Sequence, residues 1–485
     1  MKKYIKTITA AALLIVSANS CSDKELELLP PDQDLLELSL NNEEQLQQFL
    51  NRAYFSMSSA SAFGTDILVY GDLLSDHINV VTPAPTSFTN LYTLTYSGLS
   101  SDFGFYRTLY DAIAKCNLII NNTKVEDSEN VSRIKAEAKI IRGFAYFTLV
   151  NFFSPTPTSG VNQEYGVPLL LENYDATLQK PRASIAEVYN QIISDLTDGA
   201  NNAGEGSTEN KVTLTRTAAK LLLSRVYLTR RANGDAQLAL QYASDVVENS
   251  PSGIFAPVNS STQANYVNYF TSSNDDISEN QPETIWELDM TSLTSTVNGI
   301  GANKAISGYY DRVDSRKCLM FTRSFYDALN STTDVRKGLF STASGGNTPS
   351  GVWTTKFPRL SSGGNYTRNN KILRFAEAEL NQIEAYYLTG QTQIALTKLN
   401  SFAQKRKGTQ YTGSNLLDDI LKEREKEFFA EGYRFFDLKR YSLPLVKNAN
   451  CTINCNVPAN DKLFVMPMNQ DALNYNLNLK QYPGY

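Results

Sequence analysis

The chain is poor in the residues from which metal and redox sites are usually built. Its 485 residues include one histidine, five cysteines and two tryptophans. Cys116 and Cys318 lie within apolar stretches and are expected in the core. Cys451 and Cys455 flank a short polar loop, where they either form a local disulfide or remain free thiols. The chain is therefore a poor candidate for a metal enzyme, and we predict no cofactor.

Long apolar runs and basic clusters are also missing. Beyond residue 20, no stretch approaches the roughly 18 apolar residues that a membrane-spanning helix needs. Lysine and arginine total 45 against 50 aspartates and glutamates, which gives a formal net charge of −5. Because nucleic-acid binding depends on clustered positive charge, we predict no nucleic-acid partner. Aromatic residues, in contrast, are plentiful, and the 27 tyrosines and 23 phenylalanines favour a binding surface.

The first 20 residues have the organisation of a secretory signal peptide. Three lysines precede a short apolar run at residues 8–16, and small residues then lead to Cys21. A cysteine at the cleavage point predicts lipidation, so that Cys21 becomes the acylated N-terminus and anchors the chain in a membrane. The alternative is an ordinary secreted protein with a chance cysteine. Residues 21–40 are predicted to be a linker.

Apolar periodicity predicts a mainly α-helical fold. Helical patterns occur at residues 41–56, 103–121 and 132–153. Ser132 is a suitable N-cap for the last of these helices. Two later stretches, 216–249 and 372–405, each predict a pair of helices around a central break. Such pairs are similar to tetratricopeptide repeats, in which neighbouring units bury each other's apolar faces. The alternative is a bundle of unrelated helical hairpins.

The stretch from residue 251 to 370 differs from its surroundings. It is rich in Ser, Thr, Asn and Gly, and within it Thr284–Leu288 predicts a short strand with Trp286 in the core. Long polar loops inside a compact domain usually carry function, so this stretch is predicted to bind the ligand. The single domain predicted for the mature chain, 41–485, then has three parts, at residues 41–250, 251–370 and 371–485.

Aromatic residues beside polar partners are the best candidates for ligand binding. Rings stack on the apolar faces of sugars while Asn, Asp and Arg bind the hydroxyls, and peptides accept similar surfaces. We predict in particular that Trp353→Ala weakens ligand binding without unfolding the protein. The predicted ligand-binding residues are Phe88, Tyr92, Tyr309, Tyr310, Asp311, Arg312, Trp353 and Tyr366. The alternative for each aromatic residue is a purely structural role.

Catalytic groups are not recognisable. His77 is the only histidine and lies beside Asp76, but no nucleophile motif or metal-ligand cluster accompanies it, so we expect a plain hydrogen-bonding role. Asp72 and Asp76 could be read as a carboxylate pair for glycoside hydrolysis. Among 50 acidic residues, such pairs arise by chance. We therefore predict a binding protein and not an enzyme.

Residues 423–440 (EREKEFFAEGYRFFDLKR) form the most distinctive stretch of the chain. We expect a helix that ends at Gly432, because glycine favours the left-handed conformation of a helix C-cap. An exposed ion pair is expected between Arg424 and Glu427, which lie three positions apart on that helix. Helix capping and docking are the predicted roles of this segment.

This motif closely resembles the signature of SusD-like (SusD/RagB) nutrient-binding lipoproteins of Bacteroidetes. Further similarities occur in the family's order at residues 70–76, 142–153, 165–169, 333–336 and 476–485. The acidic residues that follow Cys21 resemble the surface-export signal of such lipoproteins. The resemblance covers essentially the whole mature chain. It implies a mainly α fold in which tetratricopeptide-like helical repeats pack against a loop-rich ligand-binding region with few short strands.

The resemblance also implies a location and a partner. SusD-like proteins are lipid-anchored, with palmitate among the acyl groups, on the outer face of the outer membrane. They serve a SusC-like TonB-dependent transporter, over which they lie as lids. We therefore expect a protein that binds oligosaccharide nutrients and delivers them to that transporter, and the alternative is the same architecture binding oligopeptides. A repeat scaffold that binds only proteins is a further alternative.

Overall fold

The computed structural model describes residues 40–99, 103–175, 177–251, 253–290, 305–311, 316–329, 331–342, 351–358, 368–447 and 451–485. The predicted signal peptide, Cys21, Arg312 and Tyr366 lie outside the described residues. The fold is mainly α-helical with a few short strands, as predicted. In the part of the chain that the structure describes, no helix is both long enough and apolar enough to cross a membrane.

The N-terminal part is built around one long central helix, α5. Its elements are α1 (Glu43–Ser58), α2 (Asp66–Leu73), β1 (Ile78–Val80), α3 (Thr86–Thr93), α4 (Phe105–Ile120), α5 (Glu129–Phe153) and α6 (Ile185–Asn202). Helix α5 packs against α1, α4 and α6, and its apolar residues are buried along most of its length. The predicted N-cap Ser132 is wrong, because the hydroxyl of Ser128 accepts the hydrogen bond from Val131 N at 3.0 Å. The first turn is polar, so apolar periodicity did not mark its start.

The first predicted helix pair follows, as α7 (Arg216–Arg230) and α8 (Asp235–Asn249). The chain reverses through Arg231 and Gly234, which both adopt positive φ angles, of 51° and 85°. Such angles suit glycine and are tolerated at helix ends. The two helices pack closely along their length, which confirms the predicted pair.

The middle of the chain combines short helices with short antiparallel strands. Its elements are α9 (Gln263–Thr271), α10 (Asp275–Ser278), β2 (Thr284–Leu288), α11 (Ser307–Tyr310), β3 (Leu319–Phe321), α12 (Arg323–Ala328), β4 (Phe340–Ser341), β5 (Trp353–Thr354) and β6 (Asn370–Arg374). Strand β2 pairs with β6, β1 with β3, and β4 with β5. A single bridge between Phe321 and Val352 joins β3 to the residue before β5. Trp286 on β2 is fully buried and donates to Val212 O at 3.1 Å, which confirms its predicted core position.

The second predicted pair, α13 (Phe375–Leu388) and α14 (Thr392–Lys405), stacks on the first. Helix α13 packs against both α8 and α7. Asn381 on α13 donates to Ser224 Oγ on α7, and Gln382 donates to Ser244 Oγ on α8, each at 2.9 Å. Small and polar side chains thus let the two pairs approach closely, as neighbouring units do in helical repeat proteins.

The C-terminal part holds the distinctive motif. It contains α15 (Leu416–Glu427), α16 (Arg434–Arg440), β7 (Leu445–Val446), β8 (Asn456–Val457) and α17 (Gln470–Tyr475). The predicted helix end at Gly432 is wrong, because α15 stops at Glu427. Gly432 does have a positive φ of 76°, but its neighbour is Gly71 on α2. A Cβ on Gly71 would lie 2.2 Å from Gly432 O, so the two backbones touch and neither position has room for a side chain.

Buried ion pairs join the motif to the middle of the chain. Arg374 on β6 bonds to Glu283 at 3.0 Å, to Glu427 at 2.9 Å and to Glu431 at 2.8 Å, and Arg406 bonds to Glu427 at 2.9 Å. Burial opposes ionisation of Glu427, but Arg406 and Arg374 hold its pKa well below the ordinary value. Each of these groups is almost completely buried, so removal of one partner would leave an uncompensated charge in the core.

Arg424 does not pair with Glu427 as the sequence suggested. It bonds instead to Asp437 at 3.1 Å and to Asn381 at 2.9 Å, and it is buried. The predicted exposed pair assumed that one side of α15 faces water. On that side Arg424 bonds to Asn381 of α13 and to Asp437 of α16, and sequence spacing alone cannot reveal such neighbours.

Candidate ligand-binding site

Two of the segments predicted to bind ligand meet in the structure. Phe88 lies on α3 and Tyr309 on α11, and their ring centroids are 4.8 Å apart in an edge-to-face arrangement. The pairing of β1 with β3 brings these distant segments together, with Ile78 opposite Phe321. Cys318 N donates to Tyr309 O at 3.1 Å, so the tyrosine backbone is held beside β3.

Most of the predicted ligand-binding side chains are buried. Tyr309 is half-buried. Among the residues that the structure describes, the relative exposures of the other candidates are 3% for Phe88, 8% for Tyr92, 0% for Tyr310, 9% for Asp311 and 0% for Trp353. Large rings stabilise a fold most when they are removed from water, and a buried ring offers no face to a ligand. Trp353, predicted to contact ligand, lies instead on β5 opposite Ser341 with its ring fully buried.

Tyr310 belongs to the framework beneath the site. Its hydroxyl donates to Asp72 Oδ2 at 2.7 Å, inside the protein. The other carboxylate oxygen of Asp72 accepts from Gly432 N at 3.2 Å and lies 3.4 Å from His77 Nε2. One buried carboxylate therefore connects α11, the C-terminal motif and the only histidine. Burial and the charge of Asp72 together hold the pKa of Tyr310 well above its ordinary value, so the phenol keeps its proton.

Lys447 covers the ring of Tyr92. The ammonium group lies 4.1 Å from the centre of the Tyr92 ring and donates to Leu73 O at 3.3 Å. Burial lowers the pKa of Lys447 to about 7.

The next part of the described chain holds the disulfide between Cys451 and Cys455, which settles the alternatives that the sequence left open. Both free cysteines, Cys116 and Cys318, are buried as expected.

Arg316 is a candidate that sequence reasoning missed. Its guanidinium carbon lies 5.4 Å from the centre of the Tyr309 ring. Gly308 makes this position possible, because a Cβ there would lie 1.7 Å from Arg316 Nη2. Arg316 comes seven positions after Tyr309, and no periodic pattern in the sequence connects the two. The pair places an aromatic ring beside a guanidinium, and a ring next to a hydrogen-bonding group is a combination that suits a sugar ring with its hydroxyls.

His77 lies close to this region but serves the interior. Its ring nitrogens lie 3.4 Å from Asp72 and 3.3 Å from Glu425. Burial disfavours the protonated ring, but the two carboxylates favour it more strongly and raise the pKa of His77 to about 9. The predicted hydrogen-bonding role is confirmed.

Asp76, His77 and Glu425 place potential metal-ligand atoms within 4.8 Å of one another. Arg434 already supplies a cation there, 2.8 Å from Asp76 and 3.4 Å from Glu425.

A cavity of about 90 Å³ lies away from these residues, between α5, α7 and the C-terminal motif. Its walls are mainly apolar and include Phe147, Phe152, Leu228, Tyr433 and Phe436. An apolar cavity that admits benzene has a volume of about 150 Å³, so this one is too small for a sugar ring. The cavity is not a candidate for the oligosaccharide site.

Comparisons with known proteins give the chain a family. A family model described as starch-binding and associating with the outer membrane matches residues 26–228, and the SusD family model matches residues 259–485. A SusD-like protein of Bacteroides ovatus is 25% identical over an alignment of 481 positions, and the match covers 90% of this chain and 82% of that protein.

Solved structures agree over nearly the full length. A SusD superfamily protein of Bacteroides thetaiotaomicron is 25% identical with a TM-score of 0.80, covering 91% of this chain and 100% of that one. A candidate sugar-binding protein of Bacteroides vulgatus is 26% identical with a TM-score of 0.81, covering 92% and 99%. Surface glycan-binding protein A of Bacteroides fluxus, 23% identical with a TM-score of 0.73, covers 91% and 99% and shares the fold. Because the matches span both the N-terminal helices and the C-terminal motif, the chain belongs to the SusD family.

Proposed function

We propose that this protein binds oligosaccharide nutrients at the cell surface and delivers them to a SusC-like TonB-dependent transporter of the outer membrane. Membership of the SusD family is the observation that carries the proposal. Two structurally similar proteins carry names that refer to sugar or glycan binding. The family model that matches residues 26–228 is described as associating with the outer membrane.

In this proposal Cys21 carries the lipid anchor, and residues 22–39 connect that anchor to the first described residue, Leu40. The lipid places the protein in the outer membrane, with its binding region on the outside of the cell. Because one acyl chain gives only weak membrane binding, stable attachment requires more than one, as in a multiply acylated N-terminal cysteine.

Tyr309 and Arg316 form the centre of the proposed sugar site. The half-buried ring of Tyr309 supports stacking, and the guanidinium beside it supports hydrogen bonds to hydroxyl groups. Phe88 holds the Tyr309 ring in place from below, at 4.8 Å between centroids. Arg312 and Tyr366 stay predicted contacts of the same site.

We further propose that the protein releases the bound sugar without hydrolysing it. Three groups invite a hydrolytic interpretation, namely Asp72, Asp76 and His77. Asp72 and His77 are 0% and 2% exposed and are bonded to each other, and Asp76 is paired with Arg434 at 2.8 Å. Glycoside hydrolysis requires an acid and a base that both reach the scissile bond. Asp72 instead accepts hydrogen bonds from Tyr310 and Gly432.

Calorimetry with ligands from a glycan array tests the sugar site. Tyr309→Ala is expected to weaken binding of the best glycan by about tenfold, because one aromatic stacking contact of this kind contributes on the order of 1 kcal/mol or more. Tyr326→Ala is a matched control, since Tyr326 is also half-buried with an arginine, Arg323, at 5.4 Å from its ring centre. Equal affinities of wild type and Tyr309→Ala would remove Tyr309 from the site. Binding of peptides and of no glycan would favour the oligopeptide alternative.

A further inference from the structure

Positive charge is concentrated in the stretch that contains the proposed sugar site. Residues 291–370 include ten lysines and arginines against four aspartates and no glutamate, although the whole chain has a formal net charge of −5. These cations are spread along the stretch, so no basic run marks them in the sequence. A local excess of one charge creates a potential that attracts ligands of the opposite sign. Only the cations at the surface contribute to what a ligand meets.

Four of the ten cations are neutralised by pairing within the protein. Arg336, Lys356 and Arg368 are buried, and each is paired with a carboxylate of another segment. Arg323 on α12 is exposed, but Asp327 lies one helical turn further on and pairs with it at 2.9 Å. Pairs of this kind have a structural role, and none of these four cations is assigned to a ligand.

Arg316 and Lys317 lie instead beside the proposed sugar site. Both are half-buried, and they directly precede Cys318, whose backbone N donates to Tyr309 O at 3.1 Å. The guanidinium carbon of Arg316 lies 5.4 Å from the centre of the Tyr309 ring. Asp311 is the one acidic residue among the described residues from 305 to 323, and its side chain is only 9% exposed. This side of the site therefore presents positive charge next to an aromatic ring.

The opposite side of the site is uncharged. Residues 78–99, which include β1 and α3, contain no lysine, arginine, aspartate or glutamate. Phe88 of this segment contacts the Tyr309 ring, and the next two residues, Thr89 and Asn90, are neutral and at least partly accessible. Among the described residues of these two segments, the charge that a ligand meets is therefore positive.

A site with charged donors and no accessible carboxylate discriminates between sugars. Guanidinium and ammonium groups only donate hydrogen bonds, whereas a sugar hydroxyl both donates and accepts. A carboxylate or sulfate group only accepts, and hydrogen bonds between ionised partners are roughly twice as strong as those between neutral ones. Because a charged group loses hydration when a ligand covers it, a neutral hydroxyl offsets less of that cost than an anionic group does. The arrangement therefore favours an acidic sugar.

From these observations we infer that the oligosaccharide bound at Tyr309 is acidic, and that Arg316 binds its carboxylate or sulfate group. This inference rests on the proposed function, which places a sugar at this site. The Tyr309 ring stacks on an apolar face of the sugar, and the guanidinium beside it binds the anionic substituent. Lys317 strengthens the positive potential around that substituent.

Binding to a glycan array tests the inference. The acidic probes are oligogalacturonates, alginate oligomers and sulfated galactans, and the neutral probes are oligomers of glucose, xylose and mannose. The best-binding acidic glycan is then compared by calorimetry with its neutralised derivative, in which carboxylates are methyl-esterified or sulfates are removed. We expect the best binder to be acidic and its derivative to bind at least about tenfold more weakly, as loss of a charge-assisted contact does. Which acidic class binds identifies the anionic group.

The possible failures can be told apart. A neutral oligosaccharide as the best binder, or a neutralised derivative that binds as tightly as its parent, would overturn this inference and leave the proposed function standing. Binding of no glycan would contradict the proposed function, and the inference would fail with it.

Variants test the assignment of Arg316. Arg316→Gln is expected to lower the affinity for the best acidic glycan by about tenfold and to reduce its dependence on salt. Arg323→Gln is the matched control, since Arg323 is already paired with Asp327. As NaCl rises from about 0.1 to about 1 M, the screening length falls from about 10 to about 3 Å, so the wild-type affinity for the acidic glycan should fall while that for its neutralised derivative stays constant. Wild-type affinity and salt dependence in Arg316→Gln would overturn the assignment of Arg316.

Discussion

Tyr310 donates a 2.7 Å hydrogen bond to Asp72, and this contact connects the predicted ligand-binding segment to the core. Asp72 lies on α2, and its carboxylate also accepts from Gly432 N in the C-terminal motif. Three segments that are distant in sequence therefore depend on one buried carboxylate. Tyr309, the residue immediately before Tyr310, is half-buried and belongs to the proposed sugar site. Adjacent tyrosines therefore have different surroundings, since Tyr310 is fully buried and Tyr309 is half-buried.

The first prediction follows from that contact. Tyr310→Phe should lower the free energy of unfolding by about 1–3 kcal/mol, because it leaves one oxygen of a buried carboxylate without its donor. Glycan affinity should stay unchanged. Urea unfolding and calorimetry measure the two quantities. A variant with wild-type stability and weakened glycan binding would show that the Tyr310 hydroxyl contacts ligand instead.

Trp353→Ala should now behave as a core substitution. The side chain is fully buried, so its removal should cost about 3–5 kcal/mol of stability. Trp286→Ala is the matched comparison, because Trp286 is also fully buried. Both variants should lose stability to a similar extent in urea unfolding. If Trp353→Ala kept its stability and lost glycan affinity, Trp353 would have to be returned to the ligand site.

Stability should depend on pH through His77. Burial favours its neutral form, but Asp72 and Glu425 raise its pKa to about 9, above the ordinary value of 6.5. The folded state therefore gains stability from the protonated ring. That gain is complete below about pH 6.5 and is lost as pH rises through about 9, and it amounts to on the order of 3 kcal/mol.

The measurement compares wild type with His77→Gln in urea at several pH values from 6 to 10. Lys356, Lys439 and Lys447 have pKa values lowered by burial to about 8, 7 and 7, so they titrate in the same range. For this reason the informative quantity is the difference in unfolding free energy between the two proteins. It should shrink as pH approaches 10. A difference that stays constant would contradict the raised pKa of His77.

Local patterns predicted the longer helices apart from α6, because the apolar spacing of a helix is set by neighbours in sequence. The helix pairs around Gly234 and Gly390 were predicted in this way and are confirmed. The short strand with Trp286 in the core was also predicted and is confirmed. The N-cap of α5 was misplaced because its first turn, after Ser128, is polar. The sequence identified Gly432 as a position of unusual backbone conformation. The reason that a glycine is needed there is the close contact with Gly71, which lies on a distant segment.

The ligand-binding residues were harder to predict from sequence. An aromatic residue in a polar stretch has the same local signature whether its ring faces solvent or the core. Tyr309 and Tyr310 have the same local sequence surroundings, yet Tyr309 is half-buried while Tyr310 is fully buried against Asp72, a residue distant in sequence. No sequence pattern pointed to Arg316. Its position against Tyr309 depends on the fold and on the fact that residue 308 is a glycine, which has no side chain to block it.

The contact between two glycines gives a further prediction. Gly71→Ala should destabilise the protein strongly, by about 3 kcal/mol or more, because the new Cβ would lie 2.2 Å from Gly432 O and backbone cannot move aside cheaply. Gly104→Ala is the control, since the nearest atom to a Cβ there is 4.0 Å away. Thermal unfolding distinguishes them. Similar melting temperatures for the two variants would contradict the close approach of α2 to the C-terminal motif.

Gly308→Ala tests the pairing of Arg316 with Tyr309 without removing either side chain. The added Cβ would lie 1.7 Å from Arg316 Nη2, the far end of a flexible side chain, so the guanidinium should move away from the ring while the fold is kept. Glycan affinity should fall by about three- to tenfold, as expected for loss of one hydrogen-bonding group. Arg316→Ala should cause a similar loss. Because both changes remove the same contact, the double variant should bind no more weakly than either single variant, which calorimetry can measure. Additive losses would mean that Gly308 positions some group other than Arg316.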